Sequence, residues 1–399
     1  MKIRTILVIF LFYIICPLRV FSCIYNVRDM GFVDMAPNPY HLFCLIQDNT
    51  QERIVTTLKN ISYTTFLESN ISVEIINVDQ KKNHPAIEYF HFWEIKSFPA
   101  AILISPVGKS LVLPISIPNN TFNETVRSSF HSVISSPIRE EILNHIVKSY
   151  CIILLIEGKD EAENKRAYEI AASTTRKITK IMSQLPKRIE EPPYKIVIPQ
   201  ELIPKERLLL WSLGLDGNKV NKPCVAVICG RGRRIGPLLK GEKITRNRLF
   251  KILSIIGLSC DCGLDKRWMM GPLLPLRWDE KIQSDVVKFL GFDAESPMVK
   301  IEMSSIMSLD FFKQTEDEGI KRNLGDVLDE YREEVLEFED EQKVTRVSPA
   351  KFRELISLDS AGSKSRLNLK TMLYIMGIIV LMILAGGSFI LIRARRKLS

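Results

Sequence analysis

Apolar residues follow two alternating spacings between positions 40 and 135. Short, mostly apolar runs predict four strands, at 40–46, 72–78, 100–105 and 111–115. Apolar residues three or four positions apart predict helices at 51–68, around 87–93 and at 121–135. The predicted order is strand, helix, strand, helix, hairpin, helix. Residues 23–39 show neither spacing and are predicted to be irregular.

The same order of elements recurs in the following part of the chain. Strands are predicted at 151–156, 194–198, 224–229 and 235–239. Helices are predicted at 159–185, 205–213 and 245–258. Two copies of one order of seven elements predict an internal repeat.

A proline stands directly before the third strand of each copy, at Pro99 and Pro223. This order and these prolines resemble the thioredoxin-like fold, and the resemblance covers about residues 40–262. It implies an α/β architecture of two tandem domains, each a mixed sheet flanked by helices. In that family the proline is usually cis and faces an active-site turn that carries Cys-x-x-Cys. The corresponding turns here, 47–50 and 157–160, contain no cysteine, so the resemblance implies domains without the catalytic pair.

Both ends of the chain carry membrane-related patterns. Residues 1–22 combine Lys2 and Arg4 with an apolar run, which predicts a secretory signal peptide. Residues 371–392 are apolar and uncharged, which predicts one transmembrane helix. The basic tail 393–399 is then expected in the cytoplasm and the body outside it.

The compartment has two alternatives. A site resembling a bacterial lipobox makes Cys23 a candidate for lipidation and favours a bacterial envelope protein. Four N-x-[ST] sequons and a dilysine-like ending keep the eukaryotic endoplasmic reticulum as the alternative.

The body between these ends is divided by composition and charge. We expect a first domain at 23–148, a second domain with a C-terminal extension at 149–300, and an acidic helical stalk at 301–370. The net charge of +9 is uneven, because residues 219–251 are strongly basic and residues 316–341 strongly acidic. Outside the cytoplasm this charge does not indicate nucleic acid. A membrane and another membrane or envelope protein are the expected partners.

Cys260 and Cys262 form a Cys-x-Cys pair just after a predicted helix. The C-terminal end of a helix disfavours a thiolate, which argues for structural or buried thiols. A redox couple and a metal site are the alternatives, although the sequence shows no further metal motif, and no cofactor is predicted. If Cys23 is lipidated, the other six mature cysteines could all pair.

The segment 230–236 has the sequence GRGRRIG. It is not the dinucleotide fingerprint, because Ile235 occupies the position of the third glycine. We predict a turn that exposes Arg231, Arg233 and Arg234 to an anionic partner surface, such as the acidic segment of the same chain.

These patterns predict a membrane-anchored binding, scaffold or accessory protein outside the cytoplasm, and no residue is assigned a catalytic role. The alternative is a thiol-disulfide redox enzyme that uses Cys260 and Cys262. The two hypotheses differ in whether that pair exchanges disulfides reversibly.

Overall fold

The computed structural model describes residues 25–35, 39–185, 187, 189–258 and 271–308. These residues belong to one compact unit of the chain. The predicted signal peptide, Cys23, the Cys260–Cys262 pair, the acidic segment 316–341 and the apolar run 371–392 lie outside them. Within the described ranges, no helix has both the length and the apolar character needed to cross a bilayer.

Two four-stranded mixed sheets form the framework. Their strands are β1 (Tyr40–Ile46), β2 (Ile71–Asn77), β3 (Ala100–Ile104), β4 (Ser110–Leu113), β5 (Ile152–Ile156), β6 (Tyr194–Ile198), β7 (Cys224–Cys229) and β8 (Arg233–Lys240). The strand orders are β2-β1-β3-β4 and β6-β5-β7-β8. In each sheet the first two strands in the chain are parallel, and the other pairs are antiparallel. The predicted α/β class and repeat are thus confirmed, and the arrangement fits tandem thioredoxin-like domains.

Ten α-helices connect and flank the strands in the described ranges. They are α1 (Val27–Phe32), α2 (Glu52–Phe66), α3 (Ala86–Phe92), α4 (Phe122–Ile134), α5 (Pro137–Ile146), α6 (Glu161–Ile181), α7 (Arg207–Ser212), α8 (Arg246–Ile256), α9 (Glu280–Leu290) and α10 (Pro297–Ser308). Helices α2 and α4 pack side by side on the first sheet, as α6 and α8 do on the second. Every residue of β5 and β7 is buried, as expected for apolar strands covered on both faces.

The segment before β1 contains a helix, so the prediction of an irregular segment is wrong for residues 27–32. The Asn26 side chain accepts from the backbone N–H of Asp29, and the Asp29 side chain accepts from that of Asn26, which forms a capping box. Val27, Met30 and Phe32 are buried in the core of the second sheet's module rather than the first. Six residues are too few to show helical periodicity, so this helix depends on tertiary packing.

The two modules are joined by side chains that cross between them. Leu208 and Trp211 of α7 pack against the core of the first module. The rings of Trp211 and Tyr40 lie 6.2 Å apart between centroids. A helix of the second module therefore contributes to the first module's core.

Buried polar groups fix the same joint. The Arg139 guanidinium donates to the carbonyl oxygens of Ser132, Val133 and Pro275. The Glu206 carboxylate accepts from the Ser136 hydroxyl at 2.5 Å and from the Ile138 N–H at 3.1 Å. Burial lowers the pKa of Arg139 to about 10, although Glu206 opposes this shift. Helix α5, which carries Arg139, packs on the second sheet, and Val133 belongs to the first core. The hydrogen bond from Arg139 to the Val133 carbonyl therefore connects the two modules.

Residues 271–278, called the strap, run across both modules. Leu273 forms a β-bridge with Arg233 of the second module. Its carbonyl oxygen accepts from the Tyr40 hydroxyl of the first module at 2.6 Å. At the other end, the backbone N–H of Trp278 donates to the Glu68 carbonyl at 2.6 Å. The strap thus ties the two sheets together through backbone hydrogen bonds.

Candidate functional site

The turn after β1 lies where the thioredoxin-like resemblance places an active site. The antiparallel register pairs Leu45 with Ala100, so Pro99 lies beside the end of β1 where this turn begins. The Phe98–Pro99 peptide is cis. The structure thus brings Pro99 and the turn 47–50 together at one end of the first sheet.

Polar groups of the chain itself occupy this first turn. The N–H of Asp48 donates to the Asp79 carboxylate at 2.9 Å. The Asp48 carboxylate accepts from the Asn77 amide at 2.8 Å and from the Gln80 amide at 2.6 Å. The turn is therefore held by acceptors and amides, and it contains no thiol for disulfide exchange.

The second module has the corresponding turn in direct contact with its proline segment. A Cβ atom on Gly158 would lie 2.6 Å from both the Lys222 carbonyl carbon and the Pro223 nitrogen. The N–H of Lys159 donates to the Asn221 carbonyl at 3.0 Å. Unlike Pro99, Pro223 follows a trans peptide. A side chain at position 158 therefore has no room against the Lys222–Pro223 backbone.

The described cysteines are buried, free thiols. They are Cys44, Cys151, Cys224 and Cys229. Burial raises the pKa of Cys44 to about 12 and that of Cys229 to about 11, and it raises the pKa of Cys151 well above its usual value. Thiols with such values stay protonated near neutral pH and are poor nucleophiles. The option that all six cysteines other than Cys23 pair is therefore wrong.

The predicted basic surface at 231–234 is also wrong, because the chain engages these arginines internally. Arg231 pairs with Glu295, and its guanidinium lies 5.2 Å from the Trp278 ring centroid. Arg233 donates to the Gly271 carbonyl at 2.8 Å. Arg234 is only 1% exposed. The strap and the residues after it pack on this turn. The repeat pattern of the sequence does not predict this contact, because the strap lies outside the repeat.

An open, partly apolar groove beside β2, called the β2 groove, is a feature that the sequence did not indicate. Its volume is about 690 Å³, and it lies between β2 and α2. Tyr63 of α2 and Leu67, the C-cap residue of this helix, are 67% and 65% exposed along it. The sequence pattern that could have indicated this groove is the spacing of these two apolar residues, four positions apart and outside the buried face of the helix.

Metal binding has no support in the described part of the chain. No three His, Cys, Asp or Glu side chains are placed there to hold a metal ion. Cys260 and Cys262 lie outside the described residues, so their pairing stays a prediction.

Comparison with known proteins gives remote likenesses only. No protein-family model and no curated protein matches the chain. A zinc-bound human ERp44 structure is 10% identical with a TM-score of 0.19, and the match covers 56% of this chain. This chain spans about half of the ERp44 chain, namely 55%.

Two further structures contain the first two thioredoxin domains of yeast Eps1p proteins. The Saccharomyces cerevisiae structure is 11% identical, with a TM-score of 0.20, and 60% of this chain and 99% of that chain are covered. The Naumovozyma dairenensis structure is also 11% identical, with a TM-score of 0.18 and coverages of 56% and 92%. Likenesses this weak say nothing about activity, and the thioredoxin-like assignment rests on the strand orders.

Proposed function

We propose that this protein is a binding or scaffold protein whose two thioredoxin-like modules hold a partner without exchanging disulfides. The observation that carries the proposal is the turn at 157–160. It contains no thiol, and Gly158 packs directly against the Lys222–Pro223 backbone. The corresponding turn at 47–50 contains no thiol either. Both places where the family resemblance locates exchange chemistry are thus without its nucleophile.

The connection between the modules supports a scaffold. The strap, the Arg139 guanidinium and Trp211 all connect the two modules. A body built in this way presents its surfaces at fixed positions, which lowers the entropic cost of binding a partner.

The membrane assignment is part of the same proposal. Residues 371–392 anchor the chain by one span, residues 1–22 direct the body out of the cytoplasm, and the partner is another membrane or envelope protein. The sequence patterns at both ends support this arrangement. Extraction of membranes with alkaline carbonate tests the anchor: the full chain stays in the pellet, and a chain lacking 371–392 is released. Release of the full chain would contradict the anchor.

The competing function is disulfide exchange at Cys260 and Cys262. The disulfide reductase activity of the purified full chain tests it, with a fluorescent glutathione disulfide as substrate. A Cys260→Ser/Cys262→Ser variant is the matched control. The proposal predicts no turnover above background in either protein. Turnover that the double substitution abolishes would overturn it.

A further inference from the structure

We propose that the β2 groove binds an extended peptide of a partner protein as an added β-strand, with apolar side chains at alternate positions and a carboxylate near Lys59. This inference rests on the proposed binding function and specifies its site. The occupant follows from three features of the groove: its free edge, its apolar walls and its charge.

The free edge calls for a strand. β2 is the edge strand of its sheet and pairs only with β1 among the described residues. Its other edge therefore offers N–H and C=O groups in the β conformation at Val73 and Ile75, for which no partner occurs among the described residues. At the two ends of the strand, the Ile71 N–H donates to the Ser69 hydroxyl oxygen at 3.2 Å, and the Asn77 carbonyl accepts from the Lys81 N–H at 2.9 Å. Only another extended backbone satisfies such a row of groups. The strand sequence ISVEIIN contains one charged residue and no proline, so it lacks the usual features that protect an edge from pairing.

The walls call for alternating apolar side chains. One ridge along α2 consists of residues four positions apart, namely Val55, Lys59 and Tyr63, and the C-cap residue Leu67 continues it. Val73 and Ile75 lie two positions apart on β2, and both are only partly buried against the first core. A strand added to β2 would direct every second side chain between these two surfaces. Tyr63 and Leu67, exposed in the free protein, would then be covered.

The charge calls for an acidic residue. The charged residues that line the groove are Lys59, Glu74 and Lys81. Lys81 is paired with Glu74 at 2.9 Å. Lys59 makes no ion pair within the described part of the chain. An exposed ammonium at the rim of an apolar groove favours a partner with a carboxylate there.

The second module provides an internal comparison. The equivalent groove beside β6 has a volume of about 480 Å³ and is lined by Glu157, Glu161 and Lys165. Its aromatic residue, Tyr168, is covered in part by Lys195, whose ammonium lies 5.2 Å from the ring centroid. The apolar, open version of the groove therefore belongs to the first module, and Tyr168 is the matched control for Tyr63.

The test uses the full chain and a fluorescent peptide of about nine residues, the length of a long strand. Valine and serine alternate in this peptide, with one central glutamate. In the control peptide, proline replaces each serine and removes the N–H groups that a strand needs. Anisotropy measures binding to wild type, Tyr63→Asp, Leu67→Asp, Lys59→Glu and Tyr168→Asp. Hydrogen exchange of residues 71–77 reports whether β2 gains a partner strand.

We expect the alternating peptide to bind and the proline peptide not to bind. Tyr63→Asp and Leu67→Asp should each weaken binding about tenfold or more, since each places a charge in the apolar contact. Lys59→Glu should weaken it and favour a peptide with a central lysine. Tyr168→Asp should bind like wild type, and exchange of the β2 amides should slow only with peptide. Tyr63, Leu67 and Tyr168 are all exposed, so their aspartate variants should fold.

Equal binding of both peptides, or equal loss in Tyr168→Asp, would overturn the proposal. Self-association that Tyr63→Asp abolishes, in the absence of peptide, would assign the groove to a second copy and also overturn it. If no peptide binds and the reductase assay shows no turnover, the groove assignment fails while the binding function stands. Turnover in that assay removes the binding function independently of the groove.

Discussion

Cys44 shows at the scale of one residue why a buried thiol is expected to be a poor nucleophile. Its side chain is fully buried in β1, and burial alone raises its pKa from 9.0 to about 12. Among the residues that the structure describes, no cation offsets this effect of burial on the pKa of Cys44. Cys229 differs, because Arg28 opposes the effect of burial, yet its pKa is still about 11.

The raised pKa of Cys44 predicts a loss of stability at high pH. Between pH 9 and about 12 the folded thiol keeps a proton that the unfolded thiol has lost, so unfolding releases protons. The free energy of unfolding should fall as the pH rises through this window and should not depend on this thiol below it. Thermal unfolding of the full chain from pH 8 to 11 measures the slope. Cys44→Ala should have a shallower slope above pH 9; an identical slope would contradict the assignment.

Gly158 is the residue at which the second turn packs against the Lys222–Pro223 backbone. Gly158→Ala would place a Cβ 2.6 Å from the backbone of Lys222 and Pro223, and neither atom can move without the strand that follows. We expect the free energy of unfolding to fall by about 1–3 kcal/mol, as in overpacked cores.

Gly217→Ala is the control for this substitution. Its Cβ would meet Ile203 and Leu210 at 3.6 and 3.7 Å, which is ordinary contact. The midpoint temperatures of both variants give the comparison. If Gly158→Ala is as stable as Gly217→Ala, the turn has room and the closed arrangement is wrong.

At the scale of elements, the strands were largely predictable from the sequence. The runs at 40–46, 194–198 and 224–229 have the predicted bounds. The strand at 224–229 is fully buried, and such strands leave uninterrupted apolar segments in the sequence. Helix α5 was missed, although Ser136 and Pro137 form a typical helix start and Ile138, Ile142 and Ile146 share one face. Helix α1 was missed because its six residues gain stability only from the second module's core.

The strap could not be predicted, because its contacts join residues about 200 positions apart. The Asn70 side chain donates to the Leu274 carbonyl at 2.9 Å and accepts from the Leu276 N–H at 3.1 Å. No periodicity in the sequence marks such a contact. Other hydrogen bonds of the strap cover the arginine turn at 231–234: the Arg234 N–H donates to the Pro272 carbonyl at 3.0 Å, and the Leu274 N–H donates to the Gly232 carbonyl at 2.9 Å.

These two hydrogen bonds predict the effect of removing the Asn70 side chain. Asn70→Ala leaves two backbone groups of the strap without a partner and should lower the free energy of unfolding by about 2 kcal/mol. Asn123→Ala, at an exposed position in the first turn of α4, should change it by less than about 0.5 kcal/mol. Thermal unfolding of both variants checks this. An equal effect would show that the strap does not depend on Asn70.

At the scale of the whole molecule, the thioredoxin-like repeat carries connections that a single repeat does not contain. The N-terminal helix packs on the second module, Trp211 packs on the first, and the strap crosses both. Fold class and repeat followed from local patterns, whereas the joint depends on pairs of residues far apart in the chain. The β2 groove could not be predicted from the sequence either, since local patterns do not show whether another part of the chain packs over it.

The most direct test of the account is the thiol state of the full chain across defined redox potentials. Differential alkylation and mass spectrometry would follow Cys260 and Cys262 together with the four buried thiols. The account predicts that no pair switches reversibly at potentials above about −250 mV, the range of exchange-active proteins. Cys44, Cys151, Cys224 and Cys229 should react only after unfolding. A reversible couple at Cys260 and Cys262 in that range would contradict the binding function and establish a redox enzyme.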